Sequence, residues 1–139
     1  MNTYIHLAFT SLLALMLYPI FGPWVLIMFL GGWLIDFDHY VWWVATRKRL
    51  NIREFFHFYN VESPKSNHHV NDGNIFLGHT IEFFLLALIL AFLHPIGLIF
   101  FIGLLEHWIL DAIWIATVPK RLILNHSILS WLWTHKIKR

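Results

Sequence analysis

Long apolar runs, punctuated by a few prolines and glycines, organise the chain, and their lengths fit helices rather than strands. The first runs from Thr3 to about Tyr18 and is interrupted by His6 near its start. Pro19 and the Gly22-Pro23 pair then predict a turn, since proline cannot continue a helix and glycine bends freely. A second run extends from about Trp24 into Gly31-Gly-Trp-Leu-Ile-Asp36-Phe-Asp38-His39 and on to Trp43. Residues from about Thr46 to Asn74 are polar, with Pro64 and Asn71-Asp72-Gly73 as turn signals, and Asn51 to Tyr59 predict one short amphipathic surface helix. A third run, about Ile75 to Leu93, stops at His94-Pro95, where His94 caps a turn. A fourth covers about Ile96 to Thr117. The last, Leu122 to Trp133, is short for a span of about 17–25 residues and predicts an interfacial or re-entrant helix.

The pattern therefore predicts an all-α fold: an integral membrane bundle of four transmembrane helices plus a short C-terminal helix. It forms one domain over residues 1–139, with a polar loop at about 46–74. Composition points the same way. Of 139 residues, 58% are hydrophobic and 13% charged, and mean hydropathy is +0.62, too little polar surface for a soluble domain of this size. The pI of about 9.1 reflects a modest excess of Lys and Arg, so membrane lipids rather than nucleic acid are the expected partners. There is no cysteine, which excludes disulfides and thiolate metal sites.

Charge sets the orientation. With four spans, all ten Lys and Arg residues fall on the side that holds the N-terminus, the 46–74 loop and the C-terminal tail. By the positive-inside rule that side is cytoplasmic.

Carboxylates inside apolar runs are costly, roughly 2.5–3.5 kcal/mol each near a helix centre, so their placement carries information. His6 opens helix 1, Asp36, Asp38 and His39 close helix 2, and His79 and Glu82 open helix 3, all on the basic side. At about 1.5 Å per residue, His107 and Asp111 lie roughly 17–23 Å along helix 4, in its cytoplasmic half. His107 and Asp111 share a face by their i,i+4 spacing, as do His79 and Glu82 by i,i+3. Asp36 pairs with His39 if the helix is regular, and Asp38 joins them only if the backbone unwinds at the motif. Glu106, about 100° round from His107, is the weaker candidate.

Imidazole with carboxylate suits a divalent transition metal, Zn²⁺ first, with Mn²⁺ or Fe²⁺ as alternatives. Three histidines (His6, His79, His107) and three aspartates (Asp36, Asp38, Asp111) exceed the needs of one tetrahedral zinc. One or two ions follow, with surplus groups, His39 among them, as further ligands or as partners orienting the histidines. Catalysis would use metal-activated water, with Asp38 or Glu82 as general base. His68 and His69 read as solvated loop residues, and Asn125-His126-Ser127 reach the site only if the last helix is re-entrant.

The order His6, Asp36-Phe-Asp38-His39, Gly78-His79-Thr80, His107-Trp-Ile-Leu-Asp111 resembles the YdjM-like family of inner-membrane metal-dependent hydrolases over about residues 4–115. The resemblance implies a metal-dependent hydrolase of a bacterial-type or archaeal membrane; the site's place towards the headgroup layer makes a lipid-like phosphoester or ester the expected substrate. This chain departs from the family's His-Arg-Gly-x-Thr-His before helix 3, reading Asn74-Ile-Phe-Leu-Gly78-His79 instead. The alternative is a non-enzymatic membrane protein in which the metal is structural, or in which the histidines carry metal ions or protons.

Overall fold

The structure, a computed structural model, describes residues 2–62, 75–117 and 126–137, with side chains to 134. Pro64, His68, His69, the Asn71-Asp72-Gly73 turn signal and residues 118–125 lie outside the described residues. The expected all-helical class holds among the described residues, which contain no strand. The chain divides into two compact units: Met1–Asp36 with Leu85–Pro119, and Phe37–Phe84 with Lys120–Arg139.

In the first unit, helix α1 (Thr3–Phe21) starts at Asn2, whose side chain accepts the Tyr4 N–H at 2.9 Å. Such a cap satisfies an amide that has no partner within the helix. The expected turn comes slightly late, since α1 carries Pro19 within it and stops at Gly22, where φ is 56°. A left-handed residue there suits glycine and ends the helix. A 3-10 segment, Gly22–Ile27, leads into the short α2 (Met28–Gly32), and a second 3-10 turn covers Leu34–Asp36. Both α1 and the long α6 (Pro95–Thr117) pack on α2. A Cβ on Gly31 would lie 2.6 Å from the Phe100 carbonyl oxygen, and one on Gly103 would strike that of Met28. Small residues thus let two backbones meet directly, as at helix contacts in membranes.

Ala14, Val25, Met28 and Ile99 form the apolar centre of this unit. The buried stripe of α1 is nevertheless mostly polar: Thr3, His6, Thr10 and Ala14. Its outward face is apolar, with Leu15 and Ile20 each 72% exposed. Two helical runs, Thr3–Arg47 and Pro95–Thr117, are long and apolar enough to cross a membrane. The first doubles back on itself, because Thr10 of α1 meets Gly32 at the end of α2. Length does not extend the count to the four spans expected. Helix α5 (Ile81–Leu93) has 13 residues, about 20 Å against a hydrocarbon core of about 30 Å.

In the second unit, α3 (Phe37–Arg47) is followed by Lys48 with φ 55°, then by α4 (Ile52–His57) and a π-helical turn over Phe58–Glu62. Asn51 caps α4 by accepting the N–H groups of Arg53 and Glu54 at 3.0 and 3.3 Å. An aromatic cluster fastens this segment: Tyr40 and Trp43 meet Phe55 edge-on, and Phe55 stacks on Tyr59. Helix α7 (Ile128–Ile137) starts at Ser127, whose hydroxyl accepts the Ser130 N–H at 3.2 Å. At the expected helix break, His94 accepts the Ile96 N–H at 3.1 Å through Nδ1 and so caps α6.

Candidate metal centre

Within the first unit, α1 supplies His6, the 3-10 turn after α2 supplies Asp36, and α6 supplies His107 and Asp111. Asp111 faces both rings: Oδ1 lies 3.3 Å from His6 Nε2, and Oδ2 lies 3.4 Å from His107 Nε2. Asp36 Oδ1 is 3.6 Å from the same His107 nitrogen. The imidazoles of His6 and His107 stack with centroids 3.9 Å apart, and both residues are fully buried.

The other nitrogen of His107 fixes its tautomer. His107 Nδ1–H donates to the Gly32 carbonyl at 3.0 Å, so Nε2, which faces two carboxylates, holds either a lone pair or the second N–H of an imidazolium. Three acceptors converging on one point repel unless a cation or a proton lies among them. A tetrahedral zinc with bonds of about 2.0–2.2 Å requires neighbouring donors about 3.3–3.6 Å apart; each of these pairs has that spacing, with Asp111 meeting the two rings through different oxygens. An imidazole whose second N–H is held by a carbonyl is also the usual form of a metal-ligating histidine. His6, His107 and Asp111 thus each place one donor within reach of a common ion, and Asp36 adds a carboxylate beside His107.

The second unit holds its own group. Asp38 Oδ2 accepts the Gly78 N–H at 3.2 Å and lies 3.2 Å from His79 Nδ1. Asp38 Oδ1 is 3.8 Å from His39 Nε2 and is buried without a hydrogen-bond partner. His39 is walled by Phe76 and Tyr59, with ring centroids at 4.0 and 4.9 Å. Asp38, His39 and His79 also place one donor each within reach of a common ion.

Helix 2 does unwind at the motif, so the condition for Asp38 to join a site is met. Asp36 ends a 3-10 turn and Asp38 lies in the first turn of α3; Asp36 goes with His107, and Asp38 with His79 and His39. Glu82 belongs to neither group. Its carboxylate accepts the Ser127 hydroxyl at 2.7 Å and the N–H groups of Ile128 and Leu129 at 3.1 and 3.3 Å. Those bonds engage both carboxylate oxygens and hold Glu82 at the start of α7. Two residues next to the site had sequence signals that were not read. Thr10, one turn after His6, donates to Glu106 Oε2 at 2.8 Å; Gly32, half of a glycine pair in an apolar run, holds His107.

The chain matches no family model, no curated protein and no solved structure. The site must therefore be interpreted from its own chemistry.

Proposed function

We propose that the chain is a membrane-embedded, metal-dependent hydrolase acting on a lipid-like phosphoester or ester. It would lie in a prokaryotic inner membrane with its basic segments towards the cytoplasm. One observation carries the reading: His107 Nε2, with its tautomer fixed by Gly32, faces the carboxylates of Asp111 and Asp36 at metal-ligand spacing. His6, His107, Asp111 and Asp36 would hold the ion, zinc before manganese or iron. A divalent ion there would polarise a substrate oxygen and bring a bound water's pKa to about 7. The residues' own contributions are simpler. Gly32 orients His107, Asp111 holds both imidazoles in register, and the 21% exposure of the Asp111 side chain leaves one side of the cluster open to a reactant. In the second unit, Asp38, whose Oδ1 lies 3.8 Å from His39 Nε2, would act as general base for an ion held there with His39 and His79.

The rival is a non-enzymatic protein in which the cation is structural, or is a proton passed between histidines. The full burial of His6 and His107 favours it, since a catalytic ion needs a free position. The test is elemental analysis of protein purified without added metal, paired with turnover of bis(p-nitrophenyl) phosphate in detergent micelles. The proposal expects near-stoichiometric metal and turnover in the native chain, both lost in His107→Ala and Asp111→Ala. Metal that is lost in those variants, with no turnover by the native chain, gives the site to the structural reading. A native chain without metal overturns both metal readings and leaves the proton.

A further inference from the structure

The surface that follows α3 has a composition of its own. Arg47, Lys48, Arg49 and Arg53 are all exposed, and only Arg49 has a carboxylate partner among the described residues, Glu54 at 3.2 Å. Arg47 is held over the rings of Trp43 and Phe58, 5.5 and 5.3 Å from their centroids, a contact that fixes the cation without neutralising it. Among these charges, Leu50 and Ile52 stand 75% and 53% exposed. The segment cannot swing freely. Tyr40 Oη donates to the Leu50 carbonyl at 2.7 Å, and Asn51 caps α4 immediately afterwards. Fixed cations flanking unburied aliphatic side chains fit a surface with phosphates outside and hydrocarbon just beneath. A free polyanion would match the charges but leave Leu50 and Ile52 in water.

Position supports the same occupant, because the apolar run Thr3–Arg47 ends where this segment begins. Chain that leaves a span enters the headgroup layer first. We propose that Arg47, Lys48 and Arg53, with Leu50 and Ile52 between them, form a docking surface for anionic phospholipid headgroups of the membrane the chain inhabits. The inference rests on the membrane placement given under Proposed function and is independent of the metal chemistry.

The test uses the delipidated full chain in mixed micelles of equimolar phosphatidylglycerol and phosphatidylcholine, with co-purifying lipid counted by mass spectrometry. The native chain retains phosphatidylglycerol in at least about tenfold excess, since each basic side chain near an anionic surface favours it roughly fivefold. The paired variant Lys48→Gln/Arg53→Gln lowers that ratio by at least about fivefold, and Lys48→Arg/Arg53→Lys keeps it at the native value, which separates charge loss from misfolding. Leu50→Ser/Ile52→Ser lowers retention of both lipids while leaving their ratio unchanged. A native ratio near unity overturns the proposal, as does an equal loss in the control Lys136→Gln/Lys138→Gln/Arg139→Gln. Binding of polyuridylate or polyglutamate that the paired Gln variant abolishes, with the lipid ratio unmoved, assigns the surface to a soluble polyanion instead. Failure of the membrane placement is a separate result: the chain would leave membranes in alkaline carbonate and stay dispersed without detergent.

Discussion

The chemistry of the first unit depends on a residue without a side chain. A Cβ on Gly32 would strike Thr10 Oγ1 and lie 2.9 Å from Glu106 Oε2, while the Gly32 carbonyl fixes His107. Gly32→Ala must push α1 and α6 away and shift that carbonyl. It is expected to destabilise the chain by about 1–3 kcal/mol and to weaken zinc binding by roughly 10–100-fold, the usual effect of losing a histidine's outer partner. Thermal unfolding in detergent and a zinc titration measure the two effects. Gly22→Ala is the control: φ is 56° with nothing within 4 Å of a Cβ, so a cost of about 1–2 kcal/mol should come with unchanged metal affinity. Thr10→Val tests the neighbouring pair. It strips the donor from a Glu106 carboxylate that has one oxygen buried without a partner already, and should cost about 1–3 kcal/mol that Thr10→Ser recovers. None of this coupling was visible in helical spacing. Glu106 ranked low because it lies off the His107 face, yet a partner on α1 gives it a place that a single-helix projection cannot show.

At the scale of elements, polar residues in apolar runs were legible, whereas the geometry between them was not. Reading residues 24–43 as one helix pairs Asp36 with His39, but the 3-10 turn Leu34–Asp36 breaks the register before Asp38. Periodicity assumes continuous α-geometry, and Gly31-Gly32 followed by Trp33, with φ −128°, is where that assumption fails. Glu82 teaches a similar lesson. Its i,i+3 spacing from His79 suggested a shared face, but the carboxylate binds the first amides of α7, where unpaired N–H groups and the helix dipole favour an anion. Glu82→Ala should therefore release α7 rather than abolish chemistry. In hydrogen exchange, the amides of Ile128 and Leu129 are expected to lose protection while those of α6 keep theirs. Retained protection at both would show that α7 is held by other contacts.

In the first unit, His6, Thr10 and His107 are fully buried beside Met28 and Leu104, while Leu15 and Ile20 are largely bare, and exposed aliphatic faces of this kind suit lipid as the solvent. In lipid, little hydrophobic force holds one helix to another, so a cation shared by α1 and α6 would contribute directly to stability. Anything bound only by the folded chain stabilises it by RT ln(1 + L/Kd), with L its free concentration. Zinc at about 100–1,000 times its dissociation constant should raise the unfolding free energy by about 2.7–4.1 kcal/mol. His6→Ala breaks the connection to α1 while sparing His107 and Asp111 on α6, and so should remove most of that increment. Unfolding of the native and variant chains in detergent, each with zinc and with chelator, measures it. If zinc stabilises both chains equally, His6 is not a ligand, and the ion would rest on α6 and Asp36 alone.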